Sequence, residues 1–569
     1  MATAVMAQAQ FTVTVDSAGT LERQLGESIR FTIAALKVSG PLNGADIKIL
    51  QQMANRTKPR KEGDELLTEL DLSEATIVEN KSGFRTRLNQ LPPAMFANCK
   101  TLETVTLPDS IIAISKSCFS GCTALKEITI PDMVTTIDDY AFNGCSSLTS
   151  LTLPTGLQKI ENHAFDGCSS LTDIDIPSSV TLIDNYAFNR CINLEQVTLD
   201  SCNIERISNS TFANCERLAD IVIPQTVRII GSEAFKGCKN LSTVSFPETL
   251  SEIGPEAFSG CASLRSVSIN TADRIGNAAF IDCTSLSTVE IAMTKRIGNS
   301  IFENCISLTE ATINGSLQDI ADEFFYGCTS LTSVSLPSHI KTLGNRAFYE
   351  CKSLANIELP EALVKIGSHV FENCASLKSI TIPKLVKKVG SDVFEGCISM
   401  DSVNIAGFIE EIEDDLFRYC RSLRVISLPV SLREIGDNAF EQCSMLEEII
   451  LPISVSSIGD NAFEKCVGLS TVIVPAACTA IGSAAFRECS GLKRVELPAA
   501  LKKVGGNAFT KCVSLTDIVV YAPTPPALNH STFKGVPLEA CKVTVPRGCK
   551  STYQKNKSWS KMPHIVELR

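Results

Sequence analysis

The sequence predicts a right-handed repeat solenoid with a parallel β-sheet on its concave face and short helical turns or loops on its convex face. The unit AF-x-x-C-x-x-L-x-x-[VI]-x-[IL]-P recurs every 22 to 24 residues, and its apolar positions keep their register. A unit of this length cannot bury its apolar side alone, so neighbouring units must stack. The aromatic position marks twenty units: Phe96, Phe119, Phe142, Phe165, Phe188, Phe212, Phe235, Phe258, Phe280, Phe302, Phe325, Phe348, Phe371, Phe394, Phe417, Phe440, Phe463, Phe486, Phe509 and Phe533.

One unit shows how each coil is expected to form. Leu125, Ile128 and Ile130 are followed by a proline, and the alternation around Ile128 predicts a short strand with one buried face. Pro131 ends this strand because proline has no N–H to donate. An Ile-Gly pair, as at Ile253-Gly254, then supplies a permissive backbone position before a helical turn that carries Ala-Phe inward.

The spacing F-x-x-C-x-x-L-x-x-V-x-I resembles that of leucine-rich repeats, with cysteine in a position that leucine usually fills. Residues 90 to 535 are similar to the BspA-like family of surface and secreted proteins, and the tail with Trp559 and Ile565-Val566-Glu567 resembles the closing segment of bacterial members. The resemblance implies a secreted or cell-surface protein that adheres to a protein ligand, such as a host extracellular-matrix or plasma protein.

The chain divides into four parts. Residues 1–10 contain Ala7-Gln8-Ala9 and are either the remnant of a signal peptide or an ordinary flexible terminus. Residues 11–90 form an N-terminal cap of irregular repeats with a short helix from Ile47 to Met53, because an end unit must shield the open core. Residues 91–535 hold about 19–20 repeats, and residues 536–569 form a C-terminal cap.

Composition narrows the possible partners. The net charge of −11 and the pI of about 5.2 argue against binding nucleic acid, which requires Lys and Arg against phosphates. No apolar run reaches the ~18 residues of a transmembrane helix, so no transmembrane segment is expected. We expect a monomer.

Cysteine is the most frequent chemically reactive residue in the repeats. Nineteen of the 24 cysteines follow the phenylalanine by three positions, and Val536 takes this position in the last unit. Stacked coils place identical side chains ~4.8 Å apart, which exceeds the Cβ–Cβ distance of ~3.5–4.5 Å in a disulfide. We therefore expect buried, reduced thiols that act as small hydrophobes. Cys541 and Cys549 in the tail are the pair that could instead be bonded.

The sequence gives no indication of an enzyme, a cofactor or a metal. It lacks G-x-S-x-G, H-E-x-x-H and a phosphate-binding glycine loop. The histidines are expected at different positions of their units, so that stacking brings no two together: His163, His339, His369, His530 and His564. Asp173 and Asp175, on one strand, are either solvated acids or calcium ligands.

The residues that flank the middle of each strand are expected on the outer, concave face. Of these 38 positions, 19 are Ser or Thr, ten are acidic, one is basic and none is aromatic. The face is thus hydroxyl-rich and negative. The absence of rings argues against stacked sugars or single-stranded nucleic acid.

The last strands depart from this composition and supply the candidate binding residues. Apolar residues next to charges are typical of protein-contact surfaces, although β-branched residues also simply suit strands. The predicted binding residues are Val425, Glu448, Ile450, Ile473, Arg494 and Val519. Two functions remain open, a binding or adhesion protein and a rigid spacer that binds nothing itself.

Overall fold

The computed structural model of the protein describes residues 10–26, 29–59, 61–81 and 84–568. The signal-peptide remnant expected at residues 1–10 therefore lies almost wholly outside the described residues. The chain forms two compact units, Met1–Leu286 and Ser287–Arg569. Both are built from stacked coils, so the predicted solenoid of parallel strands is confirmed.

Most coils contain a first strand of three or four residues and a second strand of two, whereas residues 150–152, 356–358 and 448–450 form no first strand. In the first unit the first strands are Thr104–Thr106, Glu127–Thr129, Asp173–Asp175, Gln196–Thr198, Asp220–Val222, Thr243–Ser245 and Ser266–Ile269. The second strands are Ala113–Ile114, Thr136–Ile137, Lys159–Ile160, Leu182–Ile183, Arg206–Ile207, Ile229–Ile230, Glu252–Ile253 and Arg274–Ile275.

The second unit repeats this arrangement. Its first strands are Thr288–Ile291, Glu310–Ile313, Ser333–Ser335, Ser379–Ile382, Ser402–Ile405, Val425–Ser427, Thr471–Ile473, Arg494–Leu497 and Asp517–Val520, continued by Lys542–Val545 and His564–Glu567. Its second strands are Arg296–Ile297, Asp319–Ile320, Thr342–Leu343, Lys365–Ile366, Lys388–Val389, Glu411–Ile412, Glu434–Ile435, Ser457–Ile458, Ala480–Ile481, Lys503–Val504 and Ala527–Leu528. Pairing is parallel, with equivalent residues opposite each other, as for Val472 and Val495.

The turn that carries the phenylalanine is not helical. All of residues 91–535 are described, and none of them lies in a helix. Two residues of nearly every coil are left-handed, one two positions before the phenylalanine and one two positions after it, as at Asn438 (φ 55°) and Gln442 (φ 62°). Right-handed helix cannot include such residues. The turns are instead tied from coil to coil, since the Phe119 N–H donates to the Ala141 carbonyl at 2.8 Å.

The core of each unit is a ladder of phenylalanine rings and cysteine thiols. Neighbouring rings stack with centroids 5.1 to 5.7 Å apart. The cysteine three residues after the ring is buried, and in most coils its Sγ donates to the carbonyl of the phenylalanine in the preceding coil, as from Cys122 to Phe96 at 3.0 Å and from Cys443 to Phe417 at 3.2 Å. The position thus uses the weak S–H donor as well as the small apolar volume.

The glycine of the Ile-Gly pair has a different role from the one expected. Gly436, Gly459 and Gly482 are outside the left-handed region, so backbone freedom does not explain them. A Cβ on Gly459 would lie 2.6 Å from the backbone carbon of Gly436 in the preceding coil. Glycine is required there because two coils approach each other closely.

Both ends of the solenoid are closed by other elements. The N-terminal segment has strands Phe11–Thr14, Ala35–Leu42, Glu69–Asp71 and Ala75–Ile77, α-helices Leu21–Leu25 and Gly44–Ala54, and the 3₁₀ turn Ile29–Phe31. The predicted helix around Ile47 is confirmed by Gly44–Ala54, which Asn43 and Asp46 cap reciprocally. The C-terminal segment adds helix Lys550–Lys555 and 3₁₀ turns Leu538–Ala540 and Trp559–Lys561. There the buried Trp559 donates from Nε1 to the Pro526 carbonyl at 2.9 Å.

Candidate functional site

The outward side chains of the first strands form a surface that we call the strand face. Along a strand such as Glu127–Thr129 the middle residue is buried and its two neighbours are exposed, which confirms the predicted alternation. Because the backbone spacing is regular, the composition of these outward positions decides what the face can contact.

The structure exposes three of the four apolar residues predicted for binding. Ile450 is 79% exposed and Ile473 is 61% exposed, and Val425 is exposed to a similar degree. Glu448 is also exposed, whereas Arg494 is half-buried. Val519 was expected on the surface, but that expectation is wrong because it is only 3% exposed.

The burial of Val519 follows from its place in the sheet. Its strand pairs with Arg494–Leu497 and with Lys542–Val545, so Val519 lies between Glu496 on one side and Thr544 on the other. Thr544 is itself buried. The C-terminal segment thus extends the sheet and covers a position that the repeat pattern alone would leave open.

Ile450 and Ile473 line a groove of about 740 Å³. We call it the isoleucine groove; it is lined by Glu448, Ile449, Ile450, Leu451, Ile453, Ser470, Thr471, Ile473, Val474, Pro475, Ala476, Glu496, Pro498, Ala499 and Tyr521. Its most exposed isoleucine is Ile453, at 85%. Four lining residues were not predicted from the sequence: Ile453, Ala476, Ala499 and Tyr521.

A signal in the sequence could have found three of these residues. The residue after the strand-ending proline is polar in the earlier coils, at Asp109, Asp132, Thr155, Ser178, Gln225, Glu248, Ser338, Glu361 and Lys384. It becomes apolar in the later coils, at Val430, Ile453, Ala476 and Ala499. A single position that changes from polar to apolar over consecutive coils indicates a continuous apolar stripe.

The groove coincides with an interruption of the sheet. Strand Val425–Ser427 pairs with Ser402–Ile405, and strand Thr471–Ile473 pairs with Arg494–Leu497, but the coil between them forms no strand at 448–450. No backbone hydrogen bond is donated by the amides of residues 447–451, all of which are described. By contrast, the Val474 amide donates to Glu496 at 3.0 Å. The floor of the groove is therefore held less tightly than the coils next to it.

One end of the groove carries a network of charges that satisfy one another. The Arg494 guanidinium donates to Glu496 from Nε at 3.0 Å and from Nη2 at 2.9 Å, and it also contacts Asp517. The Tyr521 hydroxyl donates to Glu496 at 2.8 Å, and this bond, together with burial, raises the pKa of Tyr521. Arg494 is thus bound to its own chain, and it stabilises the groove rather than offering a free cation.

Two further grooves on the strand face are polar. One, of about 490 Å³, includes Thr104, Glu127, Thr129, Ser150 and Thr152 in the first unit. The other, of about 890 Å³, includes Ser333, Ser335, Glu358, Ser379 and Thr381 in the second unit. Their outward side chains are hydroxyls and carboxylates that stay hydrated, so the isoleucine groove differs from them in chemistry.

The cysteines are free thiols throughout the described chain. Burial raises the pKa of Cys122 and Cys238 to about 12, which disfavours the reactive thiolate. Cys541 is buried and Cys549 is half-buried, and they are not bonded to each other. The thiol ladder is therefore part of the core.

Two histidines occupy the same position of their coils, contrary to expectation. His163 and His369 both lie two residues before the phenylalanine, one in each unit, and each pairs with a carboxylate three residues later. His163 contacts Asp166 at 2.9 Å, and His369 contacts Glu372 at 2.7 Å.

Next to His369 the carboxylates crowd together on the turn side. Burial, a hydrogen bond with Asp392 and the nearby charge of Glu372 raise the pKa of Glu395 to about 7. Arg418 lies 3.7 Å from Glu395 and offsets part of this repulsion. The Glu395 carboxyl therefore changes its protonation state near neutral pH.

The described residues were also compared with what a metal site or a membrane-spanning helix requires. Asp173 and Asp175 are exposed, and Asp173 accepts a hydrogen bond from Thr172 at 2.8 Å. No group of three or more His, Cys, Asp or Glu within the described residues is arranged to hold a metal ion. No helix in the described ranges has the length and apolar character needed to cross a membrane.

Comparisons with known proteins agree with this architecture. The family model described as "BspA type Leucine rich repeat region (6 copies)" matches residues 89–219, 205–295, 295–424 and 410–538. A leucine-rich repeat protein from Bacteroides ovatus has a similar crystal structure, with 31% identity and a TM-score of 0.54 over 61% of this chain and 90% of that chain.

More distant matches include a leucine-rich repeat protein from Eubacterium ventriosum, with 21% identity and a TM-score of 0.36 over 63% of this chain and 88% of that one. A leucine-rich cell surface protein from Faecalibacterium prausnitzii has 22% identity and a TM-score of 0.33, over 61% and 87% respectively. No curated protein matches the chain.

Proposed function

Since the chain belongs to the family of BspA-type leucine-rich repeat proteins, we propose that it is a secreted or cell-surface binding protein that holds a protein ligand on its strand face. The observation that carries the proposal is the isoleucine groove, where Ile450, Ile453 and Ile473 are exposed on a face otherwise rich in Ser, Thr and carboxylates. The cell-surface location follows from the family resemblance, and a host extracellular-matrix or plasma protein is the ligand that this resemblance favours.

Binding would take its free energy from the isoleucines. Hydroxyl groups that remain hydrated contribute little net affinity, whereas an apolar side chain gains roughly 1.5–3 kcal/mol when it is fully buried. A few such side chains near the centre of an interface usually dominate its affinity. The exposed isoleucines lie together in one groove, which suits this pattern.

The competing function is a rigid spacer that binds nothing. It is favoured by the backbone hydrogen bonds that join the phenylalanine turns of neighbouring coils within each unit. A spacer has no need for three exposed isoleucines in one groove, because such a surface promotes aggregation. The groove therefore distinguishes the two functions.

The experiment compares double variants of the whole chain against a panel of purified extracellular-matrix and plasma proteins. Ile450→Thr with Ile473→Thr keeps the β-branched shape and removes apolar surface, so we expect binding to weaken by about 1–3 kcal/mol. Ser266→Thr with Ser268→Thr is the matched control on another strand. Val222→Thr removes the apolar surface of an exposed residue outside the groove and controls for the same chemical change elsewhere on the strand face.

The outcomes separate the two functions. Loss of binding in the isoleucine variant alone, with unchanged melting temperature, supports the binding function. Equal binding of one ligand by all variants removes the groove from the proposal. Failure of the wild-type chain to bind any protein of the panel favours the spacer.

A further inference from the structure

We infer that the ligand segment held by the isoleucine groove is both apolar and positively charged. The inference rests on the proposed function, and it names the chemistry of the partner at that same groove.

The charged lining of the groove is entirely acidic. Glu448 and Glu496 line it, and no Lys, Arg or His is among the lining residues. Glu496 already accepts hydrogen bonds from Arg494 and Tyr521. Glu448 forms no ion pair with any described residue, and its strand-face neighbours in the adjacent coils are Val425 and Thr471, which carry no charge. Glu448 is therefore the carboxylate left for a ligand.

Glu448 places a negative charge next to the exposed apolar side chain of Ile450. It lies in the same three-residue segment as Ile450, and both side chains point outward on the strand face. A ligand residue that covers Ile450 would bring its neighbours beside Glu448. An acidic neighbour would be repelled there, whereas a Lys or Arg would form a charge-assisted contact.

The charges of the strand face outside the groove also favour a positively charged ligand. Within the second unit, six of the 22 positions that flank the middle of a first strand are acidic and one is basic, and that single cation, Arg494, is bound to Glu496 and Asp517. A surface of one sign steers ligands of the opposite sign and disfavours those of the same sign. Apolar segments flanked by carboxylates are therefore selected against, and those flanked by Lys or Arg are favoured.

The test uses three labelled synthetic peptides of equal length and follows fluorescence anisotropy with the full chain. The first alternates isoleucine with lysine, the second replaces lysine by glutamate, and the third replaces isoleucine by serine. We expect measurable binding of the first peptide alone, weakening as salt is added. Glu448→Gln should weaken it by about 2–5-fold, the range of an exposed ion pair. Glu127→Gln, at the same coil position in the first unit, should change nothing.

The outcomes distinguish failure of the proposed charge selection from failure of the proposed binding function. Equal or tighter binding of the glutamate peptide overturns it, as does no binding of the lysine peptide at millimolar concentration. If Ile450→Thr with Ile473→Thr abolishes capture of a protein ligand while salt and Glu448→Gln have no effect, the proposed function stands and the charge selection fails. If the lysine peptide depends on Glu448 but the isoleucine variant still captures that ligand, the proposed function fails at this groove.

Discussion

The adjacent glycines Gly505 and Gly506 allow the close approach of coils to be tested within one turn. A Cβ at Gly505 would lie 2.5 Å from the backbone carbon and oxygen of Gly482 in the preceding coil. At Gly506 the nearest atoms would be 3.6 Å away, on Asn529 and Ser531, and neither glycine is left-handed. Gly505→Ala should thus force two coils apart, whereas Gly506→Ala should fit without strain.

The two substitutions are expected to change the free energy of unfolding in opposite directions. Overpacking against backbone costs about 1–3 kcal/mol, whereas a tolerated Gly→Ala change stabilises by roughly 0.4–1 kcal/mol through the unfolded chain. With a urea slope of about 2 kcal/mol/M, Gly505→Ala should lower the midpoint of urea unfolding by about 0.5–1.5 M. Gly506→Ala should leave that midpoint unchanged or raise it slightly.

The only tryptophan provides a local assay for this pair. Trp559 is buried, and its ring lies 6.2 Å from that of Phe533, which stacks at 5.3 Å on Phe509 in the coil of Gly505. Tryptophan fluorescence therefore reports unfolding of this end of the second unit, even where a long array does not unfold in one step. Equal urea midpoints for the two variants would refute the reasoning that the Ile-Gly glycine is required by close approach.

Three further predictions concern the thiols, the acid cluster and the sheet interruption. A thiol reagent at pH 8 should label few cysteines in the native protein and nearly all 24 after denaturation, and disulfides found without reductant would contradict the free ladder. Because the pKa of Glu395 is raised to about 7 in the folded state, its contribution to stability is present below the unfolded pKa near 4.5 and is lost as pH rises to 7. Glu395→Gln should therefore reduce the fall in urea midpoint between pH 5 and pH 8, whereas Glu410→Gln, at an exposed site, should not. Hydrogen exchange should be faster at the Leu451 amide than at Val474, although both side chains are buried, and equal protection would place Leu451 in the sheet.

The repeat pattern predicted the fold because a few positions determine the path of each coil. The spacing of Phe, Cys and Leu fixes which residues point inward, and the proline fixes where the first strand ends. The left-handed residues were not predictable in the same way. They include Tyr140, Glu233 and Lys465, which have no intrinsic preference for that conformation. The backbone hydrogen bonds between neighbouring turns hold them there, and a single sequence does not display that cause.

The candidate site was predictable only in part for a similar reason. Outward exposure of Ile450 and Ile473 follows from the alternation of apolar and outward positions in the repeat pattern, which is a local property. Burial of Val519 depends on the strand that the C-terminal segment adds beside it, and the opening at 448–450 depends on pairing between coils. Both are properties of neighbours in the stack, so reading one coil at a time could not supply them.

The architecture explains why a binding groove can form on the strand face at little cost to the fold. Most coils are tied to a neighbouring coil in up to three places, at the first strand, at the second strand and at the phenylalanine turn. Around Ile450 the first tie is missing, yet Ile435 pairs with Ile458 in the second strands and the Phe440 amide donates to Ala462 at 2.7 Å in the turn. Because two ties remain and the Phe and Cys core is closed, the peptide groups of the groove can stay unpaired without opening the stack. Substitutions at the outward positions should therefore change the affinity for a ligand far more than the free energy of unfolding. The isoleucine and glutamate variants test this difference directly.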